Sequence, residues 1–322
     1  MAEKFKAPRG TFDVLPEQAA QRERLLQAAR EIFGLAGYRP IATPVFEDTA
    51  LFERGVGKST DIVRKEMFTF EDKGERSLTL RPEGTAPICR AYVEHGMHKL
   101  AQPVKVFYAG PFFRHERPQA GRYRQFHQIG AEAIGSDSPL VDVEVITLIS
   151  DLIEELGVPG VELRLGSLGS LDARATYLDE LKSHLRSRGD ELSDDVRERI
   201  EINPLRAFDS DHEGTQGVMA EAPHLLDFLS EEDADHFEQV KSYLGAASVE
   251  FTIDPTLVRG LDYYTRTIFS FVCDRLGAQS EIGGGGRYDG LIEQLGGPAT
   301  PAVGWAAGIE RILLALDEEV TS

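Results

Sequence analysis

Two apolar, strand-like runs bracket an arginine-rich loop between residues 104 and 134, and no other feature limits the fold of this chain as much. Residues 104–108 (VKVFY) lead in as a strand, and alternation resumes from Tyr123 to Ile134. Runs this close, joined by a loop with Pro118, Gln119 and Gly121 at its tip, pair as antiparallel strands. The loop and its flanks, Gly110 to Gln128, read GPFFRHERPQAGRYRQFHQ. They place Arg114, Arg117, Arg122 and Arg124 within eleven residues, interleaved with Phe113, Tyr123 and Phe126. Arginine presents a planar, permanently charged fork suited to bidentate contact with phosphate oxygens. Aromatic rings beside it offer flat faces on which a base stacks. On these residues alone, a solvated tip whose arginines pair with acidic neighbours stays open as an alternative.

Charge narrows the choice. A net charge of -19 argues against coating nucleic acid non-specifically, which needs a broad basic footprint, but leaves room for a confined basic site. Cys89 and Cys273 lie far apart with no CxxC spacing, which argues against a disulfide framework or a cysteine-based zinc site. His184, His212, His224 and His236 have no ligand spacing either, so no metal site is expected among them. No apolar run approaches the ~20 residues that span a bilayer. The N-terminal MAEKFKAPRGTFDVLP lacks an apolar signal core. The expectation is a cytoplasmic protein with no membrane association, of 322 residues, with room for two domains or one large domain carrying an insertion.

Along the chain, Glu17 to Ala36 has helical periodicity, with Leu25, Leu26, Ala29, Ile32 and Phe33 on one face and Gly37 as its stop. Tyr38 to Phe46 reads as extended, with Pro40 and Pro44 marking an edge or interface strand. Glu66 to Glu71 and Ser77 to Leu80 form a hairpin around Asp72, Lys73 and Gly74. Arg81-Pro82-Glu83-Gly84-Thr85 then precedes a helix over Ala86 to Glu94. Either a ligand site or an N-cap by Glu83 or Thr85 accounts for that sequence. Asp142 to Leu156 is an amphipathic helix and Val161 to Leu165 a strand. From about Leu171 to Leu244 the text turns helical, polar and acidic, as in a helical domain inserted between two strands of the main sheet. Strand signal returns at Val249 to Ile253 and Thr267 to Cys273. The four glycines Gly283 to Gly286 read as a run between strand and helix where backbone approaches a ligand, or as a flexible turn. They match neither a P-loop nor a dinucleotide-binding fingerprint. Gly304 to Leu316 is a glycine-bearing entry into an apolar helix. Within its first turns lies Arg311, which if buried needs an anion as partner.

Taken together, these blocks resemble the catalytic core of histidyl-tRNA synthetase, a class II aminoacyl-tRNA synthetase. TPVFEDTALFERGVG resembles class II motif 1, the dimer-forming segment. FRHERPQAGRYRQFHQ resembles motif 2, and AVGWAAGIERILLAL resembles motif 3. LVRGLDYYTRTIF and GGGGRYDGL resemble two blocks specific to the histidine enzyme. The implied fold is α+β, a class II synthetase-like antiparallel sheet flanked by helices with a small helical insertion domain. The core then takes residues 1–170 (motifs 1 and 2) and 248–322 (histidine motifs and motif 3), with the insertion at 171–247. The implied activity is ATP-dependent activation of L-histidine to histidyl-adenylate, with Mg2+, and transfer to the acceptor end of tRNA(His) by a homodimer.

The resemblance also implies roles for residues. Arg114 holds the α-phosphate and the histidine carboxylate. Glu116 and Arg122 contact the nucleotide, with Phe126 stacked on adenine. Arg311 binds the γ-phosphate and covers the other adenine face. Arg259 is the catalytic cation at the α-phosphate and, with Arg114, contacts histidine as well. Glu83, Gly84 and Thr85 receive the substrate ammonium group. Gln128, Glu132, Tyr263 and Tyr264 line the imidazole side, with Tyr288 nearby. The sequence departs from the family at Ser270, where an acidic residue is usual, and at Trp305, in place of a smaller aromatic. The family also continues into an anticodon-binding domain, whereas this chain stops at Ser322. It is read as a catalytic fragment or a naturally short relative, with weakened tRNA recognition. The alternative is the non-catalytic, histidine-sensing regulatory subunit of ATP phosphoribosyltransferase, which resembles the same core but typically has eroded phosphate-binding blocks.

Overall fold

Ten register pairs, from Val104↔Ile134 to Phe113↔Gln125, join the two strands expected at 104–134, and the main sheet extends from them. This computed structural model describes residues 4–57, 60–119, 121–277 and 280–316. The chain opens with helix α1 (Pro16–Leu35), strands β1 (Arg39–Pro40) and β2 (Phe46–Asp48), and helix α2 (Thr49–Gly55). The hairpin β3 (Phe68–Glu71) and β4 (Ser77–Leu80) leads to α3 (Thr85–Glu94), then to β5 (Val104–Phe113) and β6 (Gln125–Ile134). Helix α4 (Pro139–Glu155) and strand β7 (Val161–Ser167) follow. The next helices are α5 (Leu171–Ser187), α6 (Asp194–Arg199), α7 (Glu213–Met219) and α8 (Glu231–Ala246). The chain returns through β8 (Thr252–Ile253), β9 (Thr265–Cys273), β10 (Glu281–Arg287), α9 (Leu291–Gln294), β11 (Ala302–Gly308) and α10 (Ile309–Leu316).

Eight strands make one sheet in the order β1-β5-β6-β11-β10-β9-β7-β8, and β2-β4-β3 make a second. The α+β expectation is met, with one refinement. The six inner strands of the large sheet are antiparallel, while β1 on β5 and β8 on β7 join in parallel at the two edges. Side chains on a strand alternate between faces, and that period sorts the sheet. Ile129, Ala131, Ala133, Phe269, Phe271, Trp305 and Ala307 face a core shared with α1, α4, α8 and α10. The intervening positions, among them Glu132, Ser270, Gly284 and Gly304, turn to the opposite face. That second face carries the candidate site.

Three expectations need correction. The glycines Gly283 to Gly286 are not a turn between strand and helix; they lie inside β10, buried and paired with β9 and β11. Neighbouring strands leave them no space: a Cβ at Gly286 would meet Thr267 O at 2.5 Å, and one at Gly283 would meet the Ala307 Cβ at 2.5 Å. The extended segment at Tyr38 to Phe46 keeps only Arg39–Pro40 as strand, because Pro40, Pro44 and the adjoining loop supply few ladder donors. Val249 to Ile253 likewise reduces to Thr252–Ile253. Between Leu171 and Ala246 the described regular elements are all helical, as the loss of strand-forming residues there predicts. No described helix is long and apolar enough to cross a membrane.

Candidate active site

The site is built around a carboxylate on the middle of the sheet. Glu132 on β6 is fully buried and lies between Val106 of β5 and Gly304 of β11. Its Oε1 accepts from the Thr85 hydroxyl at 2.8 Å and its Oε2 from the Tyr288 hydroxyl at 2.6 Å. Gly304 makes the position habitable, since a Cβ there would overlap Glu132 Oε2. Burial pushes the Glu132 carboxyl up to about 8; the Tyr288 and Thr85 hydrogen bonds oppose this, and the nearby Glu83 adds to it. A buried acid poised near neutrality, between two hydroxyls, suits a ligand that brings its own N–H donor.

Glu83 is both an N-terminal cap and a member of the cluster. Its Oε2 accepts from the Thr85 amide at 2.7 Å and its Oε1 from the Ala86 amide at 2.9 Å, so the carboxylate caps the first turn of α3. The Tyr263 hydroxyl donates to the same carboxylate at 3.4 Å. Burial raises the Glu83 carboxyl, partly offset by those amides. The rings of Tyr263, Tyr264 and Tyr288 pack together, with centroids 4.7 Å apart for Tyr263–Tyr264 and 5.7 Å for Tyr263–Tyr288. Gly84 stands at the helix entry, where a Cβ would be 2.6 Å from the Tyr108 ring.

Cations border this pocket. Arg259 lies over the Tyr264 ring at 5.9 Å, and its Nε is buried with no hydrogen-bond partner among the described residues. Arg114 donates from Nε to Pro82 O at 2.9 Å and stacks over Phe126 at 5.3 Å. Glu116 lies 3.1 Å from Arg122 Nη1 and 3.8 Å from Arg114 Nη1. Arg311 donates from Nε to Glu281 O at 2.5 Å and sits beside Gly121 of the arginine-rich loop. Gln128 occupies the register position between Gly110 and Gly308, with its Oε1 buried and unpartnered among the described residues.

The expected residues thus fall in two adjoining groups. Glu83, Gly84, Thr85, Glu132, Tyr263, Tyr264 and Tyr288 touch or adjoin one another, and Arg114, Glu116, Arg122 and Phe126 form a second set at the base of the loop. Two arginines in the same sequence blocks take structural duties instead. Arg287 is fully buried and bonds Asp142 and the carbonyls of Ser136 and Ser138. Arg81 braces Pro111 O and Thr43 O and stacks on Phe112 at 4.5 Å. One residue went unread in the sequence: Tyr108 on β5, whose ring is clamped between Gly84 and Gly130 and whose buried hydroxyl has no partner among the described residues. A strand position in VKVFY suggested only core. The available signal was Gly130, its register partner, whose Cβ would lie 2.5 Å from the Tyr108 hydroxyl.

Comparison with known proteins identifies the family. The family model described as histidyl-tRNA synthetase matches residues 10–312. The chain belongs to that family. A curated relative named histidine--tRNA ligase, from Halothermothrix orenii, is 51% identical over 314 residues, covering 98% of this chain and 75% of that protein. Among solved structures, the apo histidyl-tRNA synthetase of S. aureus aligns with a TM-score of 0.80 at 40% identity, over 98% of this chain and 74% of that one. A Bacillus halodurans C structure titled ATP phosphoribosyltransferase regulatory subunit/histidyl-tRNA synthetase aligns with a TM-score of 0.73 at 23% identity, over 98% of this chain and 84% of that one, which shows a common fold.

Proposed function

We propose that the chain activates L-histidine with ATP, taken as its magnesium complex, and passes the histidyl group to the acceptor end of tRNA(His). The observation that carries this reading is the buried Glu132 carboxylate held by Thr85 and Tyr288, with arginines on the adjoining border. In this reading the imidazole of the substrate donates to Glu132, and its ammonium group meets Glu83, Gly84 and Thr85. Gln128, Tyr263, Tyr264 and Tyr288 close the ring pocket. A site whose buried polar groups go unpaired without the right ligand rejects isosteres strongly.

The chemical step is in-line attack by a histidine carboxylate oxygen on the α-phosphorus, which forms the acyl–phosphate bond and releases pyrophosphate. Negative charge accumulates on the non-bridging oxygens, so fixed cations lower the barrier. Arg114 and Arg259 supply them at the α-phosphate, and Arg311 at the γ-phosphate. Glu116 and Arg122 orient the nucleotide, with adenine between Phe126 and Arg311. The adenylate then acylates the terminal ribose hydroxyl of the tRNA, with AMP as leaving group. Residues 171–247 act as a separate insertion domain between core parts 1–170 and 248–322. The enzyme works in the cytoplasm as a homodimer joined through the motif 1 segment, whose exposed Phe46 pairs at 6.2 Å with the exposed Phe70 of β3.

Histidine-dependent exchange of pyrophosphate into ATP, without tRNA, tests the reading. Robust exchange is expected. Histidine binding without exchange favours the regulatory-subunit alternative, against which Arg114, Glu116, Arg122, Arg259 and Arg311 all stand in place.

A further inference from the structure

Glu281 opens β10, three residues before Gly284. In a regular strand, residues three apart face opposite sides of the sheet. Here the register shifts: Glu281 lies opposite Val272, while Gly283 lies opposite Phe271 and Gly284 opposite Ser270. A bulge of this kind re-aims a side chain. Ile282 takes the extra position and enters the core, and Glu281 turns to the face of Ser270 and Gly284.

On that face Arg259 waits. Its Nη1 donates to Glu281 Oε2 at 2.9 Å, and the guanidinium lies so close over Gly284 that a Cβ there would be 2.8 Å from Nη1. Against desolvation, Arg259 and Ser270 on the neighbouring strand both hold the Glu281 carboxyl below its ordinary value. The same residue reaches a second cation through its main chain, since Glu281 O accepts from Arg311 Nε. Ser270 is the position at which this sequence lacks the family's usual acid. In this chain the carboxylate beside Arg259 is supplied from β10, brought to that face by the bulge, with its side chain 46% exposed.

We propose that Glu281 is the positioning residue for Arg259, fixing one edge of its guanidinium so that the rest faces the α-phosphate. This rests on the reading of Arg259 as the cation at that phosphate. Anchoring Nη1 removes rotamer freedom from a long side chain before substrate arrives, and misplacement of a catalytic group by about 1 Å costs as much as ~100-fold in rate. Because the pair spans β9 and β10, a carboxylate grafted at Ser270 projects from the same face toward the same guanidinium.

The test uses pyrophosphate exchange and histidine calorimetry on the whole chain, comparing Glu281→Ala, Glu281→Ala with Ser270→Glu, and Arg259→Ala. Glu281→Ala is expected to lower exchange kcat by ~10- to 100-fold, a larger change than in the histidine Kd. Adding Ser270→Glu is expected to recover most of that loss. Wild-type kcat in Glu281→Ala, beside an inactive Arg259→Ala, overturns the inference and leaves the role of Arg259 standing. Loss of histidine affinity in Glu281→Ala without recovery by Ser270→Glu marks a structural role and overturns it equally. Wild-type exchange in Arg259→Ala removes the underlying reading, whatever Glu281 does.

Discussion

Gly304 and Glu132 face each other across β11 and β6, and the space a side chain at 304 would fill is occupied by the Glu132 carboxylate. Glycine here is a vacancy that the Glu132 carboxyl group uses. Gly304→Ala therefore has to displace Glu132 from Thr85 and Tyr288. Overpacking costs about 1–3 kcal/mol, and each buried hydrogen-bonding group left unpaired adds roughly 1–3 kcal/mol. The expected outcome is a marked fall in melting temperature together with lost histidine binding. Gly217→Ala serves as the control: it lies exposed in α7 with nothing near its missing Cβ, and is expected to be neutral or slightly stabilising.

The raised Glu132 carboxyl makes stability depend on pH in a definite direction. Its folded value of about 8 lies above the ordinary 4.5, so the folded protein holds a proton that the unfolded chain has already released. Stability from this group is fully present at low pH and is lost as pH rises through the folded value. Glu132→Gln, which cannot ionise, is expected to gain melting temperature relative to the parent between pH 5 and pH 8. Calorimetric scans across that range check it; a pH-independent difference refutes it.

Histidine binding is expected to release a proton. An imidazole N–H donated to Glu132 favours the carboxylate, so the bound state holds fewer protons than the free one. Calorimetric titration near pH 7.5, in buffers of different ionisation enthalpy, reads the release directly. It is expected to vanish in Glu132→Gln.

Tyr108→Phe removes a buried hydroxyl that has no partner among the described residues. An unsatisfied buried group of this type costs about 1–3 kcal/mol. The variant is expected to melt higher than the parent without ligand, and to bind histidine more weakly if the ligand supplies the missing partner. A melting temperature below that of the parent contradicts the first expectation, and unchanged histidine affinity places the hydroxyl outside the pocket.

Much of this molecule is readable from the chain because period-two alternation survives in it. Ile129, Ala131 and Ala133 point one way and Glu132 the other, so a lone carboxylate in an apolar strand already stands out as a site candidate. The glycine run misled for the opposite reason. Gly283 to Gly286 carry no side chains of their own to alternate, and what excludes larger residues is contributed by distant segments: Trp305 against Gly285, Arg259 against Gly284, Tyr264 against Gly286. Local composition holds no trace of those neighbours. The same limit hid Tyr108, whose significance depends on Gly84 and Gly130, and it hid the turn of Glu281 toward Arg259, which depends on a register shift between two strands.

The strand order carries a consequence for how the protein comes into being. β11, the last strand of the sheet in chain order among the described residues, lies at its middle between β6 and β10. Until it emerges, β6 and β10 lack their shared partner, and the Gly304 side of the Glu132 site is absent. The pocket around Glu132 is therefore complete only once β11 has been made. Free histidine cannot chaperone the early chain, and a message cut short before residue 302 yields open sheet edges prone to association rather than a weaker enzyme.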